Sequence, residues 1–365
     1  MKTEKIQEGT CLIEVPTGYK LDSKMPVFYN SVQNLNRDIS ILLLSVIERK
    51  SKLPLRVLDL LAASGIRGLR IKKEVPNCEV TLNDYNKEAY KLIRKNAKLN
   101  KVKVTVENKA AHVLLSERTS YEYIDLDPFG TPVPFLDAAI KRLSPHAILA
   151  VTATDTSALC GAAPRACIRK YGSKPFRSEF MHENAIRILI KKCQEVAAQY
   201  DVALLPIFVH SSNHYVRVYL QKYSSAKKAD DILKKHGHIL YCRSCLWRKT
   251  SNNLVKEAEK CPTCSGKLEI IGPVWLGNLW DRALVKRMIE HINKNAEKGK
   301  QVVSNAAGTL TRLIYKESSI PSVGFYDLHW IAKKKGWKEI PKLDTYISKI
   351  KGVRTHFRPT GFRIK

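Results

Sequence analysis

Asp127, Pro128 and Phe129 follow an apolar run, residues 121–126 (YEYIDL), and close on Gly130. These residue types suit chemistry on a nitrogen whose lone pair is delocalised into an aromatic ring. A carboxylate such as Asp127 and the carbonyl of Pro128 can accept the two hydrogens of an exocyclic base amine, returning electron density to nitrogen. Phe129 offers a face on which the base can stack. Asp-Pro and Gly are also ordinary punctuation after a strand, so the tip alone leaves both readings open. Asp125 shares a strand face with Asp127 if the backbone is extended, and reads equally well as a structural acid or a catalytic one.

A second constellation is Cys242-Arg-Ser-Cys245 with Cys261-Pro-Thr-Cys264. The C-x2-C-x15-C-x2-C spacing suits a zinc ribbon, each pair giving two thiolates to one tetrahedral ion. Four sulfur ligands leave no open position, so the expected Zn2+ is structural. The competing reading is two redox pairs or unliganded thiols. Arg243, Trp247, Arg248 and Lys249 put charge and an aromatic beside the metal. The other cysteines, Cys11, Cys78, Cys160, Cys167 and Cys193, are scattered singly and read as buried apolar residues.

What positions the tip is an alternation of short apolar runs and amphipathic stretches, the pattern of βαβ units and a parallel sheet. Strands are expected at 56–62, 78–83, 102–107, 121–126 and 146–152, with helices at 66–74, 86–99, 110–117, 133–143 and 182–199. Runs 202–209 and 215–221, joined through Ser211, Ser212, Asn213 and His214, are expected to pair as an antiparallel hairpin. In such sheets ligands bind beyond the carboxyl ends of the strands. The first strand ends in Asp59-Leu-Leu-Ala62-Ala-Ser-Gly65, whose small residues let a cofactor approach the backbone before the next helix begins. Asp84 closes the second strand, where a carboxylate can bind both ribose hydroxyls of an adenosine; it can equally cap the following helix. A nicotinamide cofactor would leave the Asp-Pro-Phe tip without a task. S-adenosylmethionine gives the strand ends a common one.

The sheet pattern resembles the class I methyltransferase fold, Rossmann-like with a terminal antiparallel strand. In that fold the turn after the third strand borders adenine, which implies backbone contacts at Ala110 and Ala111. More specifically, residues 27–41 (VFYNSVQNLNRDISI), 58–70 (LDLLAASGIRGLR), 125–132 (DLDPFGTP), 152–178, 272–281 (GPVWLGNLWD) and 353–361 (VRTHFRPTG) resemble the tRNA (guanine-26) N2-dimethyltransferase family. The chain departs from that pattern at Ser31, where proline is expected, and in the turn 107–111, where many members carry an acid before the alanine. The resemblance implies N2 methylation and dimethylation of guanine 26 in tRNA. It also implies that Arg37 and Arg67 help bind S-adenosylmethionine; an arginine can clamp a carboxylate bidentately. Read without it, Arg37 is an exposed helix ion pair and Arg67 a phosphate contact. Two other functions compete: an N6-adenine methyltransferase acting on DNA or RNA, and a non-catalytic zinc-ribbon RNA-binding protein.

The chain has 365 residues and a formal net charge of +29. That length accommodates two domains: residues 1–224, a methyl-donor domain with an N-terminal extension, and residues 231–365, a basic C-terminal α+β domain for tRNA with the ribbon at about 240–266. Residues 224–230 (SSAKKAD) read as the linker. Helices are expected at 278–297, at 300–319 and around Lys333–Lys335. The charge points to a polyanionic partner, and the basic tail from Lys351, with Arg354, His356, Arg358 and Arg363, is expected to contact RNA phosphates. No apolar run reaches the ~20 residues of a membrane span, and the N-terminus has no secretory pattern. A cytoplasmic monomer is expected.

Overall fold

The computed structural model describes residues 2–20, 25–47, 53–117, 119–212, 214–257 and 259–364; Asn213 of the expected hairpin connection lies outside them. Its packing defines two units, Met1–Val151 with Ala283–Thr311, and Thr152–Arg282 with Arg312–Lys365. This division follows spatial packing and cuts inside a strand, whereas the sequence division at 224–231 follows the order of elements.

The first unit begins with a hairpin, β1 (Thr3–Glu8) and β2 (Cys11–Pro16), then a buried helix α1 (Asn34–Val46). Alternating strands and helices follow: β3 (Leu55–Asp59), α2 (Ile66–Glu74), β4 (Cys78–Asn83), α3 (Lys87–Leu99), β5 (Thr105–Glu107), α4 (Ala111–Ser116), β6 (Tyr121–Leu126), α5 (Val133–Lys141) and β7 (Leu143–Ala153). The helices form where the sequence supplies a cap and a stripe. In α3 the Asn86 side chain accepts the Glu88 N–H, and Ala89, Leu92, Ile93, Asn96 and Ala97 fall on one buried face. Strand β3 buries Val57 and Leu58 side by side, as a parallel strand covered on both faces should.

The second unit continues with α6 (Thr156–Leu159), α7 (Pro164–Tyr171), α8 (Met181–Ala198), the antiparallel pair β8 (Val202–Ser212) and β9 (Tyr215–Ser224), and α9 (Ala226–Leu233). Strand β10 (His236–Cys242) lies between β11 (Arg248–Ser251) and β12 (Leu268–Trp275) in a three-stranded sheet carrying the cysteines. The chain then returns to the first unit for α10 (Arg282–Ala296) and the start of α11 (Asn305–Glu317), and the second unit ends with β13 (Tyr326–Asp327), α12 (Leu328–Lys335), α13 (Leu343–Lys349), β14 (Val353–Arg354) and β15 (Gly361–Arg363).

The main sheet has the order β5-β4-β3-β6-β7-β9-β8, with β5, β4, β3, β6 and β7 parallel through their shared pairings. From β3 the chain builds outward through β4 to β5, then returns to place β6 on the other side of β3. That reversal leaves a crevice beyond the carboxyl ends of β3 and β6, where Asp59 and Asp125 are register partners.

One expectation is corrected. Residues 224–230 are not a linker: the Ser225 hydroxyl accepts the Lys228 N–H and starts α9, which buries Ala229 and Ile232. Two apolar positions were too few to show as a period. The tail, expected to meet RNA phosphates, also engages its own acids. Arg363 is fully buried, His356 pairs with Glu317, Arg358 with Asp327 and Arg354 with Asp344.

Candidate active site

At the crevice, α2 starts on Gly65, whose φ of +80° lies in the left-handed region open to glycine. One turn in, Gly68 packs so close to β4 that a Cβ would collide with Leu82, and its N–H donates to Asp59 Oδ2 at 3.2 Å. Asp59 thus serves as a cap supplied by another strand. Its burial, and then the neighbouring Asp125 carboxylate, raise its pKa well above the ordinary range despite Arg67.

Arg67 lies between the acids. Its Nη2 donates to Asp127 Oδ2 at 2.5 Å and its Nε faces Asp125 Oδ1 at 3.3 Å. Its Nη1 donates to Asn36 Oδ1 (2.9 Å) and Ser40 Oγ (3.1 Å), both on α1. Asp125 Oδ2 accepts the Tyr123 hydroxyl at 2.7 Å, so Asp125 points inward and is fully buried. Asp127 is the outward member of the pair. Pro128 is buried, and Phe129 is 56% exposed, with Phe28 edge-on at 4.6 Å between ring centroids. The site therefore has a held carboxylate beside an open aromatic.

Asp84 directly follows β4, and its carboxylate is held by two backbone N–H groups. Its Oδ1 accepts the Asn86 N–H and its Oδ2 the Ala63 N–H, each at 2.8 Å. It thereby holds Asn86, the cap of α3, and the turn containing Ala62 and Gly65, while remaining half-buried at the crevice. Burial raises its pKa, against those two N–H donors. The Asn83 side chain ties this turn to the next: Nδ2 donates to Leu60 O and Lys109 O, and Oδ1 accepts the Lys109 N–H. Ala110 caps α4 through its backbone alone, and Ala111 is its buried first residue. Asp59, Ala62, Gly65, Asp84, Ala110 and Ala111 thus sit on strand ends cross-linked to one another. This is a cradle with small side chains, a half-buried acid and backbone polar groups, which fits an adenosine-bearing donor.

Arg37 is placed differently. Its Nε and Nη2 each donate to Glu8 at 2.6 Å, and Nη2 also to Asn30 O. Glu8, although buried, is held below the usual carboxylate range by Arg37 and Arg70. Arg37 therefore joins α1 to the N-terminal hairpin through a satisfied bidentate pair. Residues that sequence reasoning missed are Phe28, Asn36, Ser40, Asn83 and Glu8. All but Asn83 precede the βαβ pattern; Asn36 and Ser40, one turn apart on α1, carry a weak signal as polar residues among Ile39, Ile41 and Leu42.

The four cysteines converge in the second unit. Every pair of sulfurs among Cys242, Cys245, Cys261 and Cys264 lies within 4.8 Å, against about 3.8 Å between ligands of a tetrahedral Zn–S4 site. Each pair sits on a matching turn: Cys242 O accepts the Leu246 N–H and Cys261 O the Ser265 N–H, with Leu246 and Ser265 at positive φ. A Cβ at Gly266 would lie 3.3 Å from Cys264 Sγ, so glycine leaves room for the cluster. This group could hold a structural zinc ion.

Comparison with known proteins agrees with this geometry. The family model described as N2,N2-dimethylguanosine tRNA methyltransferase matches residues 9–365. The chain is 39% identical to a tRNA (guanine(26)-N(2)/guanine(27)-N(2))-dimethyltransferase of Aquifex aeolicus, covering 99% of this chain and 92% of that one. It is 37% identical to the tRNA (guanine(26)-N(2))-dimethyltransferase of Methanosphaera stadtmanae, covering 100% and 94%. The solved complex of Trm1 from Pyrococcus horikoshii with S-adenosyl-L-methionine superposes with a TM-score of 0.85 at 34% identity, covering 99% of this chain and 96% of that one.

Proposed function

Because the chain belongs to the N2,N2-dimethylguanosine tRNA methyltransferase family, we propose that it methylates the exocyclic N2 of guanine 26 in tRNA twice, using S-adenosylmethionine. The observation that carries the reading is the strand-β6 tip, where Asp127, fixed through one oxygen, stands beside the exposed ring of Phe129.

S-adenosylmethionine, when bound, supplies a methyl group already activated on a sulfonium and leaves as the thioether. The chain's residues supply alignment, which in well-oriented systems contributes up to ~7–11 kcal/mol. Asp84 would take the ribose hydroxyls, the Ala110–Ala111 backbone the adenine, and Ala62 and Gly65 leave room along the turn. Arg37 and Arg67 contribute positive field toward the donor's carboxylate. The guanine, turned out of the tRNA stack at a cost of a few kcal/mol, lies on Phe129, with Phe28 as its second wall. Asp127 and the Pro128 carbonyl accept the N2 hydrogens. As the N–CH3 bond forms, the S–CH3 electron pair stays with sulfur, and the proton made acidic on N2 passes to Asp127. The second transfer repeats these steps on the monomethylated amine.

Residues 1–224 are assigned to donor binding and catalysis, and 231–365, with zinc on the four cysteines, to tRNA binding. Among the described residues no helix is long and apolar enough to cross a membrane; we assign the protein to the cytoplasm as a monomer. Nucleoside mass spectrometry on unmodified tRNA transcripts with guanine or adenine at position 26 tests the proposal. Dimethylguanosine formed only from the guanine transcript supports it, and methylation at another guanine or at adenine overturns the site assignment.

A further inference from the structure

A formal net charge of +29 leaves many cations without an acid to pair with, and helix α3 gathers several of them. Its buried face is Ala89, Leu92, Ile93, Asn96 and Ala97. At about 100° per residue, Lys87, Lys91, Arg94 and Lys98 fall on one stripe, roughly 60° wide, opposite that face. All four are exposed, as are Lys101 and Lys103 just beyond the helix. From Ala89 to Val106 the chain has no acid. Among the described residues, Glu88 pairs with Lys91 at 2.8 Å and Glu14 with Lys95 at 2.6 Å, and no acid pairs with Lys87, Lys98, Lys101 or Lys103. The tail differs: Arg354, Arg358 and Arg363 face Asp344, Asp327 and Glu317.

Helix stability does not call for this stripe. Lys87 stands in the first turn, where the helix dipole disfavours a cation, and only Lys98, in the last turn, gains from it. Lys87 and Lys91, Lys91 and Lys95, and Arg94 and Lys98 are like charges four residues apart, each pair mildly destabilising. Solubility is served by mixed signs, as in the Lys286–Glu290 pair of α10. One cation of the stripe is already ordered: the Arg94 guanidinium lies over the Tyr90 ring, 5.6 Å from its centroid. A polyanion would relieve the repulsion along the whole row.

The stripe also starts in the right place. Asn86, the cap of α3, is held by Asp84 at the crevice, and the rise from Lys87 to Lys98 is about 16 Å. A polynucleotide whose guanine enters beyond the strand ends lays its neighbouring phosphates on the surface beside them. A row of cations leading away from the crevice meets several phosphates of one strand. We propose that the outward face of α3 is a docking surface for the phosphate backbone of the substrate tRNA, contributed by the first unit in addition to residues 231–365. This rests on tRNA being the substrate.

The test compares wild type with a variant carrying Lys87→Gln, Lys91→Gln, Arg94→Gln and Lys98→Gln. A second variant, carrying Lys87→Arg, Lys91→Arg, Arg94→Lys and Lys98→Arg, preserves the charge. Affinity for the guanine-26 transcript is measured by filter binding from about 0.05 to about 0.3 M salt. Donor affinity, melting temperature and the single-turnover rate at saturating tRNA are followed alongside. In the glutamine variant, binding at about 0.15 M salt should weaken tenfold or more, and the slope of log affinity against log salt should fall by about 3. Its donor affinity and saturated rate should stay at wild-type values, and its melting temperature should hold or rise. The charge-preserving variant should bind as wild type does. An affinity within about threefold of wild type with an unmoved slope makes the stripe a solvated face and overturns the proposal. Equal losses in both variants, or a loss accompanied by a lower melting temperature, assign the effect to helix structure and also overturn it. Wild type that neither binds nor methylates the transcript counts instead against the proposed function.

Discussion

Two buried arginines in this protein hold two carboxylates each, yet the networks differ in what they leave over. Around Arg363, Nη2 meets Glu183 at 2.6 Å and Nε meets Glu317 at 2.8 Å, while Nη1 donates to Ser322 O and Gly324 O. Each oxygen of those acids is occupied: Glu183 Oε1 accepts from Arg187 and the Gly324 N–H, and Glu317 accepts from Thr355, His356 and Arg363. Around Arg67, Asp127 Oδ1 accepts no hydrogen bond among the described residues. A closed network can only hold the fold. An open one, at a strand end beside an exposed aromatic, can complete itself with a substrate. Changes at the first should appear in stability and changes at the second in rate.

The largest effect expected on the stability side is removal of the metal. Structural zinc sites contribute roughly 10 kcal/mol or more of folding free energy in small modules. Chelation should therefore lower the melting of the second unit and weaken tRNA binding while leaving donor affinity intact, as calorimetry and a melting scan can show. Loss of donor binding on chelation would break the separation. On the rate side, Asp127→Asn should slow single-turnover methylation by roughly 10²–10⁴-fold at unchanged melting temperature.

Glu317→Gln should cost about 3–5 kcal/mol in denaturant unfolding, because Arg363 loses a buried counter-charge. Burial pushes the Glu317 carboxyl up, but His356 and Arg363 outweigh it and hold it down at about 2. A depressed carboxyl contributes stability above its unfolded value, near 4.5, and loses it as the pH falls toward about 2. The wild type should show that acid limb and the variant a flatter one. The smallest effect belongs to Phe129→Ala, which loses base stacking worth ~1–3 kcal/mol. It should raise the KM for tRNA and leave donor affinity and stability alone, and a fall in stability would show that Phe129 is part of the packing.

The open site was largely legible in the sequence because its residues sit at strand ends, and strand ends are marked by period and punctuation. Asp59, Gly65, Asp84, Ala110 and Asp127 fall where the alternation put them. The cysteines were legible by spacing, since each pair forms a local turn. The closed network was not, because its partners are far apart in the chain: Arg363 and Glu183 are separated by 180 residues, and no local pattern relates them. The tail therefore read as charge available to RNA phosphates. Asn36 and Ser40 were hidden for a similar reason: a polar residue on a helix looks solvated until the element that covers it is known.

The N-terminal hairpin has a consequence for how the chain is made. Its fastenings all lie downstream: Glu8 binds Arg37 and Arg70, the Thr10 N–H binds Glu74, Glu14 binds Asn96, and Leu12 exchanges both backbone groups with Asn100. On a ribosome adding about 5–20 residues per second, the hairpin waits roughly 5–20 s for Asn100 to be added. Through that interval Cys11, Ile13 and Val15, buried in the finished protein, have nothing to cover them. The hairpin is translated before every residue that fastens it, so it is seated late.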